Sequence, residues 1–218
     1  MKDVNSKVIY ALGVGASTPV FCEIATACGY YVAGLYHYNN DRTGDVVNGM
    51  EIKGSFDDLF SQDIKGKQFL LTMGDVQIRK ELTDRIENAG GILPTLIHPM
   101  TSVSPNAQID KSGVLIRPMT VIQTDAQIGK GVVLRDMALV CHNAVVGEYT
   151  FVGPKALVGA FVDVQELAFI GQGSILVSKK AEQVGRNTTV GAGSVVVKLL
   201  PENVVAVGNP AKVIKTKE

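Results

Sequence analysis

The first half of the chain alternates short apolar runs with segments of helical period. Three strands are predicted at KVIYALGVG, YYVAGLYHY and QFLLTMG, and three helices at TPVFCEIATACG, SFDDLF and VQIRKELTDRIENAG. One last extended piece is predicted at ILPTLIH. Because strands that alternate with helices form parallel sheets, this half predicts a small parallel α/β domain of the nucleotide-binding type.

The second half has a six-residue period. Aliphatic residues recur at every sixth position, and the series is Ile116, Ile122, Ile128, Leu134, Val140, Val146, Val152, Val158, Val164, Ile170 and Leu176, resuming after a slip at VSKKAEQ with Val184, Val190 and Val196. A helix needs spacings of three and four, and an alternating strand needs two. A period of six is typical of hexapeptide repeats, and it predicts a three-faced parallel β-helix of roughly five turns. We expect the frequent glycine after each aliphatic residue to turn the corner.

Composition restricts the possible partners and compartments. Lys plus Arg and Asp plus Glu number 21 each, so no overall field would recruit nucleic acid or an anionic membrane. Three cysteines, Cys22, Cys28 and Cys141, have neither metal-ligand spacing nor the number of a disulfide framework, which favours a reducing cytoplasm. We expect no signal peptide and no membrane span. A mean hydropathy of +0.19 favours a buried subunit interface.

Candidate ligand groups follow the predicted strands. The loop GVGAS, with Gly13, Gly15 and Ser17, offers backbone N–H groups at a helix start for a phosphate or a sugar hydroxyl, although tight turning alone would also explain its glycines. Thr18 stands where a dinucleotide fingerprint needs its last glycine, so NAD binding is not expected. Gly74 and Asp75 follow the third strand, where open α/β sheets bind ligands, but Asp75 equally suits the cap of the next helix.

Several motifs together resemble one family. These are GVGAS, the MGD after the third strand, IHPMTSVSPNAQI at the junction, HNAVVGE with the turns that follow, and the terminal VGNPAKVI. Across nearly the whole chain they resemble the sugar acyltransferases typified by the bacterial PglD and NeuD proteins. The resemblance implies a Rossmann-like acceptor-binding domain over residues 1–98 and a left-handed β-helix acyltransferase domain with a C-terminal tail over residues 99–218.

The resemblance also implies the chemistry and the assembly. Members form homotrimers, bind acetyl-CoA between adjacent β-helices and acetylate the amino group of a nucleotide-linked amino sugar by direct attack. His142 is then the general base, with Asn143 orienting it, and the backbone near Gly159 and Ala160 would donate to the thioester oxygen. The expected donor contacts are Phe151, Gly159, Ala160, Gln172, Ala192 and Lys212. The expected acceptor contacts are Gly13, Gly15, Ser17, Asn39, Gly74 and Asp75.

Departures from the family pattern leave two alternatives open. Asn143 replaces the acidic residue after the histidine, and Phe151 replaces a second histidine associated with the thioester carbonyl. On the acceptor side, His37 and Tyr38 replace an Asp-Asp pair. One alternative is an O-acetyltransferase acting on a sugar hydroxyl, and the other is a catalytically weakened scaffold or ligand-binding protein.

Other side chains have structural interpretations beside functional ones. Lys179, Lys180 and Arg186 could meet the phosphates of CoA, although solvated faces are commoner for such charges. We expect His98 to be structural, whereas His37 could contact a ligand or only pack. A zinc site of three histidines, as in γ-class carbonic anhydrases, is not expected, because only one histidine lies among the repeats.

Overall fold

The computed structural model describes residues 7–217, which form two compact units. One unit ends at Leu96 and the other begins at Ile97. The first six residues, which belong to the stretch where no signal peptide is expected, lie outside the described range. Within residues 7–217 no helix has both the length and the apolar character needed to cross a bilayer.

The first unit is a five-stranded sheet with three helices. Its elements are β1 (Lys7–Leu12), α1 (Thr18–Ala27), β2 (Tyr30–His37), β3 (Val46–Val47), β4 (Met50–Ser55), α2 (Phe56–Phe60), β5 (Phe69–Leu71) and α3 (Val76–Asn88). The strand order is β3-β4-β2-β1-β5, and every pair is parallel except the β3–β4 hairpin. The core between sheet and helices includes Leu12, Phe69, Leu71 and Ile86, each no more than 2% exposed.

The predicted α/β organisation is confirmed, but one strand was missed. Strand β4 pairs in parallel with β2, whereas the prediction passed directly from β2 to the first short helix. The segment MEIKGS has no recognisable strand pattern, because its one buried aliphatic residue, Ile52, stands between the exposed charges of Glu51 and Lys53. The carboxyl ends of β1, β2 and β5 therefore have a further parallel neighbour, followed at once by α2.

The second unit is a parallel β-helix of three faces. Its strands are β6 (Leu96–Ile97), β7 (Ser102–Val103), β8 (Gln108–Ile109), β9 (Leu115–Ile116), β10 (Val121–Ile122), β11 (Gln127–Ile128), β12 (Val133–Leu134), β13 (Leu139–Val140), β14 (Val145–Val146), β15 (Phe151–Val152), β16 (Leu157–Val158), β17 (Asp163–Val164), β18 (Phe169–Ile170), β19 (Ile175–Leu176), β20 (Gln183–Val184), β21 (Thr189–Val190), β22 (Val195–Val196), β23 (Val204–Gly208) and β24 (Ala211–Thr216).

Successive strands pass to successive faces. The first face is β22-β19-β16-β13-β10-β7, the second is β20-β17-β14-β11-β8, and the third is β24-β23-β21-β18-β15-β12-β9-β6. Each strand pairs with the strand one turn later, so Val140 pairs with Val158. Both side chains are completely buried in the axial core. The six-residue period and its inward aliphatic column are therefore confirmed.

The corners of the β-helix correct the expected role of glycine. Each corner holds a column of residues with positive φ, and many of these are not glycine, for example Asn143 at φ 57° and Phe161 at φ 63°. The glycines directly after the inward residues instead allow adjacent turns of the β-helix to stack closely. A Cβ on Gly171 would lie 2.5 Å from the backbone nitrogen of Ala192 in the next turn. Those glycines are present because adjacent turns approach too closely for a side chain.

Two irregular segments complete the second unit. Between β19 and β20 the six-residue period is interrupted, because the corner is two residues longer than the corner before it. Ala181 in this longer corner is fully buried in the core. The segment predicted as a C-terminal tail is instead the antiparallel hairpin of β23 and β24, which extends the third face. Lys212 lies exposed on β24.

Candidate active site

His142 lies in the turn between β13 and β14, at the corner between the first and second faces. We call this column of turns, residues 123–126, 141–144, 159–162 and 177–182, the His142 corner. The ring therefore lies at a corner of the β-helix and not on one of its flat faces. Its backbone N–H donates to Oε1 of Gln123 at 3.0 Å. The half-buried ring therefore projects from a turn whose backbone is fixed by the preceding turn.

Asn143 determines which ring nitrogen of His142 is basic. Its Oδ1 lies 3.0 Å from Nδ1 of His142. Because an amide oxygen only accepts, Nδ1 carries the proton and Nε2 presents a lone pair. Asn143 also suits its position sterically, since asparagine tolerates the positive φ of 57° found there. The pair therefore has the arrangement of a base with an orienting partner.

Phe161 is a neighbour of His142 that the sequence analysis missed. Its ring meets the imidazole edge to face, with centroids 5.2 Å apart and planes at 90°. It is 51% exposed, and Nζ of Lys179 lies 5.5 Å from its centroid. The signal available in the sequence was the spacing of 18 residues, one turn of the β-helix, that separates Asn143, Phe161 and Lys179.

The two expected oxyanion donors are not equivalent. The N–H of Gly159 donates to the carbonyl of Leu176 at 2.9 Å, so the oxyanion role is withdrawn for Gly159. The N–H of Ala160 donates to Oγ of Ser178, also at 2.9 Å. Because Ser178 is exposed and its side chain can rotate, only Ala160 has an N–H that a ligand oxygen could take over.

Cys141 precedes the histidine but does not have the character of a nucleophile. Burial raises the pKa of its thiol, and a hydrogen bond from the N–H of Ala160 opposes that rise only in part. The thiolate is therefore scarce at neutral pH. The imidazole is the basic group of this corner.

A groove lies at the corner between the third and first faces. We call it the Gln172 groove; its cavity measures about 370 Å³, and its lining includes Phe151, Gln172 and Ala192 together with Arg135 and Phe169. The rings of Phe151 and Phe169 stack in parallel, 5.0 Å apart. Three of the expected donor contacts thus come together, whereas Lys212 is not among the lining residues.

His142 and the Gln172 groove lie at opposite ends of the first face. One side of the β-helix spans six residues, or about 20 Å of extended chain. Within one protomer, therefore, the base and the groove are at different edges.

The first unit has a pocket of about 380 Å³ at the carboxyl ends of β1, β2 and β5. It is lined by Gly13, Val14, Gly15, Ser17, Thr18, His37, Tyr38, Phe56, Thr72, Met73 and Ile78. The hydroxyl of Thr18 stabilises the loop GVGAS. Its Oγ1 accepts from the N–H of Gly15 at 2.9 Å and donates to the carbonyl of Gly13 at 3.1 Å. The structure thus brings three expected acceptor contacts, Gly13, Gly15 and Ser17, to one pocket.

The other three expected acceptor contacts lie outside this lining. Asp75 caps α3, because its Oδ1 accepts from the N–H groups of Gln77 and Ile78 at 2.9 and 3.0 Å. Its neighbour Gly74 does not line the pocket either. Asn39 bonds instead to the ring of His37, a buried lining residue for which the sequence predicts either ligand contact or packing alone. The structure thus does not bring these three residues into the pocket, and their contact with an acceptor stays a prediction.

Two further observations concern other candidate sites. Across residues 7–217 no cluster of three or more His, Cys, Asp or Glu side chains is arranged to hold a metal ion. His98 has a structural environment, since its Nδ1 accepts from the N–H of Met100 at 3.1 Å within a turn.

Comparisons with known proteins extend over both units. No family model matches the chain. The GDP-perosamine N-acetyltransferase of Escherichia coli O157:H7 is 28% identical over 199 residues, which cover 88% of this chain and 87% of that protein. The acetyltransferase domain of PglB from Neisseria gonorrhoeae FA1090, solved with acetyl coenzyme A, is 29% identical with a TM-score of 0.85, covering 96% of this chain and 100% of that one.

A second solved structure is similar to the same extent. A mutant of the GDP-perosamine N-acetyl transferase from Caulobacter crescentus, with alanine in place of a histidine and with CoA and GDP-perosamine bound, is 28% identical. Its TM-score is 0.87, and 98% of each chain is covered. These likenesses confirm the Rossmann-like unit followed by a left-handed parallel β-helix.

Proposed function

Because the chain belongs to the PglD/NeuD-like sugar acyltransferases of the hexapeptide family, we propose that it transfers the acetyl group of acetyl-CoA to the amino group of a nucleotide-linked amino sugar. Relatives solved with acetyl coenzyme A, or with CoA and GDP-perosamine, support this donor and this class of acceptor. The observation that carries the proposal is the imidazole of His142, held through Nδ1 by Asn143 so that Nε2 is free to accept a proton.

In the proposed reaction the amine nitrogen attacks the thioester carbonyl, and its proton passes to Nε2 of His142. The C–S bond then breaks, and the thiolate of CoA leaves and takes up a proton. Thioesters are already activated, so alignment and one base can supply most of the catalysis. Asn143 would stabilise the imidazolium less than a carboxylate does, because its amide oxygen carries no full charge.

We assign the developing oxyanion to the N–H of Ala160. This group lies at the His142 corner, where it donates to the hydroxyl of Ser178 at 2.9 Å and also faces the thiol of Cys141. A thioester oxygen that displaces this hydroxyl would gain a backbone donor in a fixed position. The exchange conserves the number of hydrogen bonds, because the freed hydroxyl can turn to water.

We further propose a homotrimer in which one protomer's His142 corner faces another protomer's Gln172 groove. The proposal follows from the separation of the base and the groove at opposite ends of the first face. Exposed apolar side chains on the β-helix, including Val121, Met137 and Phe161, supply surface that such an interface could bury. Acetyl-CoA would then lie along Phe151, Gln172 and Ala192, and Lys212 remains a candidate contact for its phosphates.

The two units would divide the substrates. We propose that the first, residues 1–98, holds the acceptor in the pocket beside Gly13, Gly15 and Ser17, and that the second, residues 99–218, performs the transfer. We also propose a cytoplasmic location, since the three cysteines are all free and suit a reducing compartment.

The test is release of free CoA thiol from acetyl-CoA in the presence of a panel of nucleotide amino sugars. We expect turnover with at least one amino sugar, and a fall of about a hundredfold to ten-thousandfold in kcat for His142→Ala. His98→Ala is the matched control, because that ring serves only a local turn, and it should keep its kcat. Turnover only with hydroxyl acceptors would indicate an O-acetyltransferase. Absence of turnover with every acceptor, and no effect of His142→Ala, would indicate a scaffold.

A further inference from the structure

His37 is a buried polar side chain that the proposed transfer does not use. It ends β2, is 7% exposed, and lines the pocket of the first unit. Tyr38 is 70% exposed, and its ring lies 4.2 Å from the imidazole between centroids. A buried imidazole at the wall of a pocket needs a defined hydrogen-bonding role, since burying a polar group without partners is costly.

A chain of hydrogen bonds fixes the tautomer of His37. The carboxylate of Asp41 accepts from Nδ2 of Asn39 at 2.6 Å, so the amide oxygen of Asn39 points the other way. That oxygen lies 2.8 Å from Nδ1 of His37. Because it can only accept, Nδ1 carries the proton. Asn39 is outside the pocket lining, so Nε2 is the ring nitrogen left for a ligand, and it is a hydrogen-bond acceptor.

The rest of the lining has no formal charge. Apart from His37, the lining consists of glycines, hydroxyl-bearing residues and the apolar side chains of Val14, Phe56, Met73 and Ile78. Such a wall suits a flat uncharged ring better than a diphosphate, which would require compensating positive charge. The hydroxyl groups of the lining can each donate or accept, whereas Nε2 of His37 only accepts. His37 is therefore the side chain that can distinguish a ring N–H from a ring lone pair.

We propose that His37 is a specificity-determining residue that accepts a hydrogen bond from the nucleobase of the acceptor and selects bases with a lactam N–H. Uracil, thymine and guanine have such a group, and the adjoining carbonyl makes it a stronger donor than an exocyclic amine. Cytosine and adenine carry a lone pair on the corresponding ring nitrogen, which would oppose that of Nε2. This inference rests on the proposed function only in taking the ligand to be a nucleotide.

The experiment is titration calorimetry of the full chain with nucleoside diphosphates and without acetyl-CoA. We expect UDP, dTDP and GDP to bind about tenfold more tightly than CDP and ADP, which corresponds to one hydrogen bond of about 1.4 kcal/mol. UDP methylated at N3 has no lactam N–H, and it should lose the same factor on the unmodified protein. That comparison needs no variant and so is independent of folding.

Variants locate the effect. His37→Phe keeps an aromatic wall but has no acceptor, and it should bind UDP and N3-methyl-UDP equally. Asn39→Leu, which leaves the tautomer unfixed, should reduce the difference without abolishing it. The control Asp45→Asn, on the same loop but in a separate exposed pair with Arg42, should keep the full factor. Equal binding of UDP and N3-methyl-UDP by the unmodified protein, or no binding of any nucleotide, would overturn the inference.

These binding results are separable from the proposed function. Transfer without base discrimination leaves the acyltransferase proposal intact and removes the role of His37. Discrimination among the diphosphates without any transfer leaves the role of His37 intact and removes the acyltransferase proposal.

Discussion

The rings of His142 and Phe161 meet edge to face, with centroids 5.2 Å apart, at one corner of the β-helix. Phe161 is 51% exposed and has a φ of 63°, which costs a bulky residue about 1–2 kcal/mol of backbone strain. The axial core does not use this side chain, so its packing provides no compensation for the strain. The contact does restrict rotation of the imidazole, whose Nδ1 is held by Asn143. We infer that Phe161 is a positioning residue for His142.

Replacing Phe161 should separate activity from stability. Both Phe161→Ala and Phe161→Gly remove the edge contact, which as an aromatic pair is worth about 0.5–1.5 kcal/mol, so kcat should fall about threefold to tenfold in each. Glycine alone also relieves the positive φ, so Phe161→Gly should be the more stable variant by about 1 kcal/mol. Steady-state kinetics and urea unfolding measure the two effects. An unchanged kcat in both variants would show that the contact is incidental.

Asn143→Asp should raise kcat severalfold. A carboxylate at this position stabilises the imidazolium that forms during proton transfer, whereas an amide oxygen does so weakly. Aspartate also tolerates the left-handed backbone at this position, so the fold should not change. The measurement is kcat at saturating acetyl-CoA and fixed pH, with the exposed Glu148→Gln as a control that should have no effect. A lower kcat for Asn143→Asp would argue against a base that becomes charged.

The β-helix was predictable because its core has a simple physical rule. Each face contributes one inward residue per six, and Val140, Val146 and Val152 fill that column with 0% exposure. The position of His142 follows from the same count, since it is two residues beyond an inward valine. The six-residue period therefore predicts directly where a residue such as His142 lies on a turn of the β-helix.

The details at the sites depended on contacts that no period encodes. Whether the N–H of Ala160 is free depends on the hydroxyl of Ser178, 18 residues later. Asn39 was expected to contact the acceptor, but its amide is held between Asp41 and His37. Strand β4 was missed because a single buried aliphatic residue gives no detectable pattern. These features arise from side-chain pairing across the fold, which composition and spacing do not determine.

The ion pair of Arg117 and Asp136 should make stability depend on pH. Burial opposes ionisation of Asp136, but the hydrogen bond from Arg117 and the charge of Arg135 hold the pKa of its carboxyl below the ordinary 3.8. A depressed pKa contributes stability that is fully present above 3.8 and is lost as the pH falls through the lower folded value. Asp136→Asn should therefore lower the free energy of unfolding by about 3 kcal/mol at pH 7, because it removes the carboxylate charge that faces the buried side chain of Arg117.

The difference between Asp136→Asn and the unmodified protein should shrink as the pH falls below 3.8. Urea unfolding at a series of pH values measures it. The matched control is Asp45→Asn, which breaks an ion pair of the same 3.1 Å length, Arg42 with Asp45, on an exposed loop. That pair should contribute less than about 1 kcal/mol at any pH. A difference for Asp136→Asn that stays constant down to pH 2 would contradict the linkage.

Gly171 and Gly173 stand two residues apart in one turn and distinguish two reasons for a glycine. A Cβ on Gly171 would lie 2.5 Å from the nitrogen of Ala192, whereas one on Gly173 would meet nothing within 4 Å, although its φ is 64°. Gly173→Ala should cost about 1–2 kcal/mol, the strain of the left-handed backbone alone. Gly171→Ala must push two turns apart and should cost more than about 3 kcal/mol, as overpacking against backbone does. Chemical unfolding of both variants measures the costs. Similar losses would mean that conformation, and not the spacing of the turns, selects glycine after the inward residue.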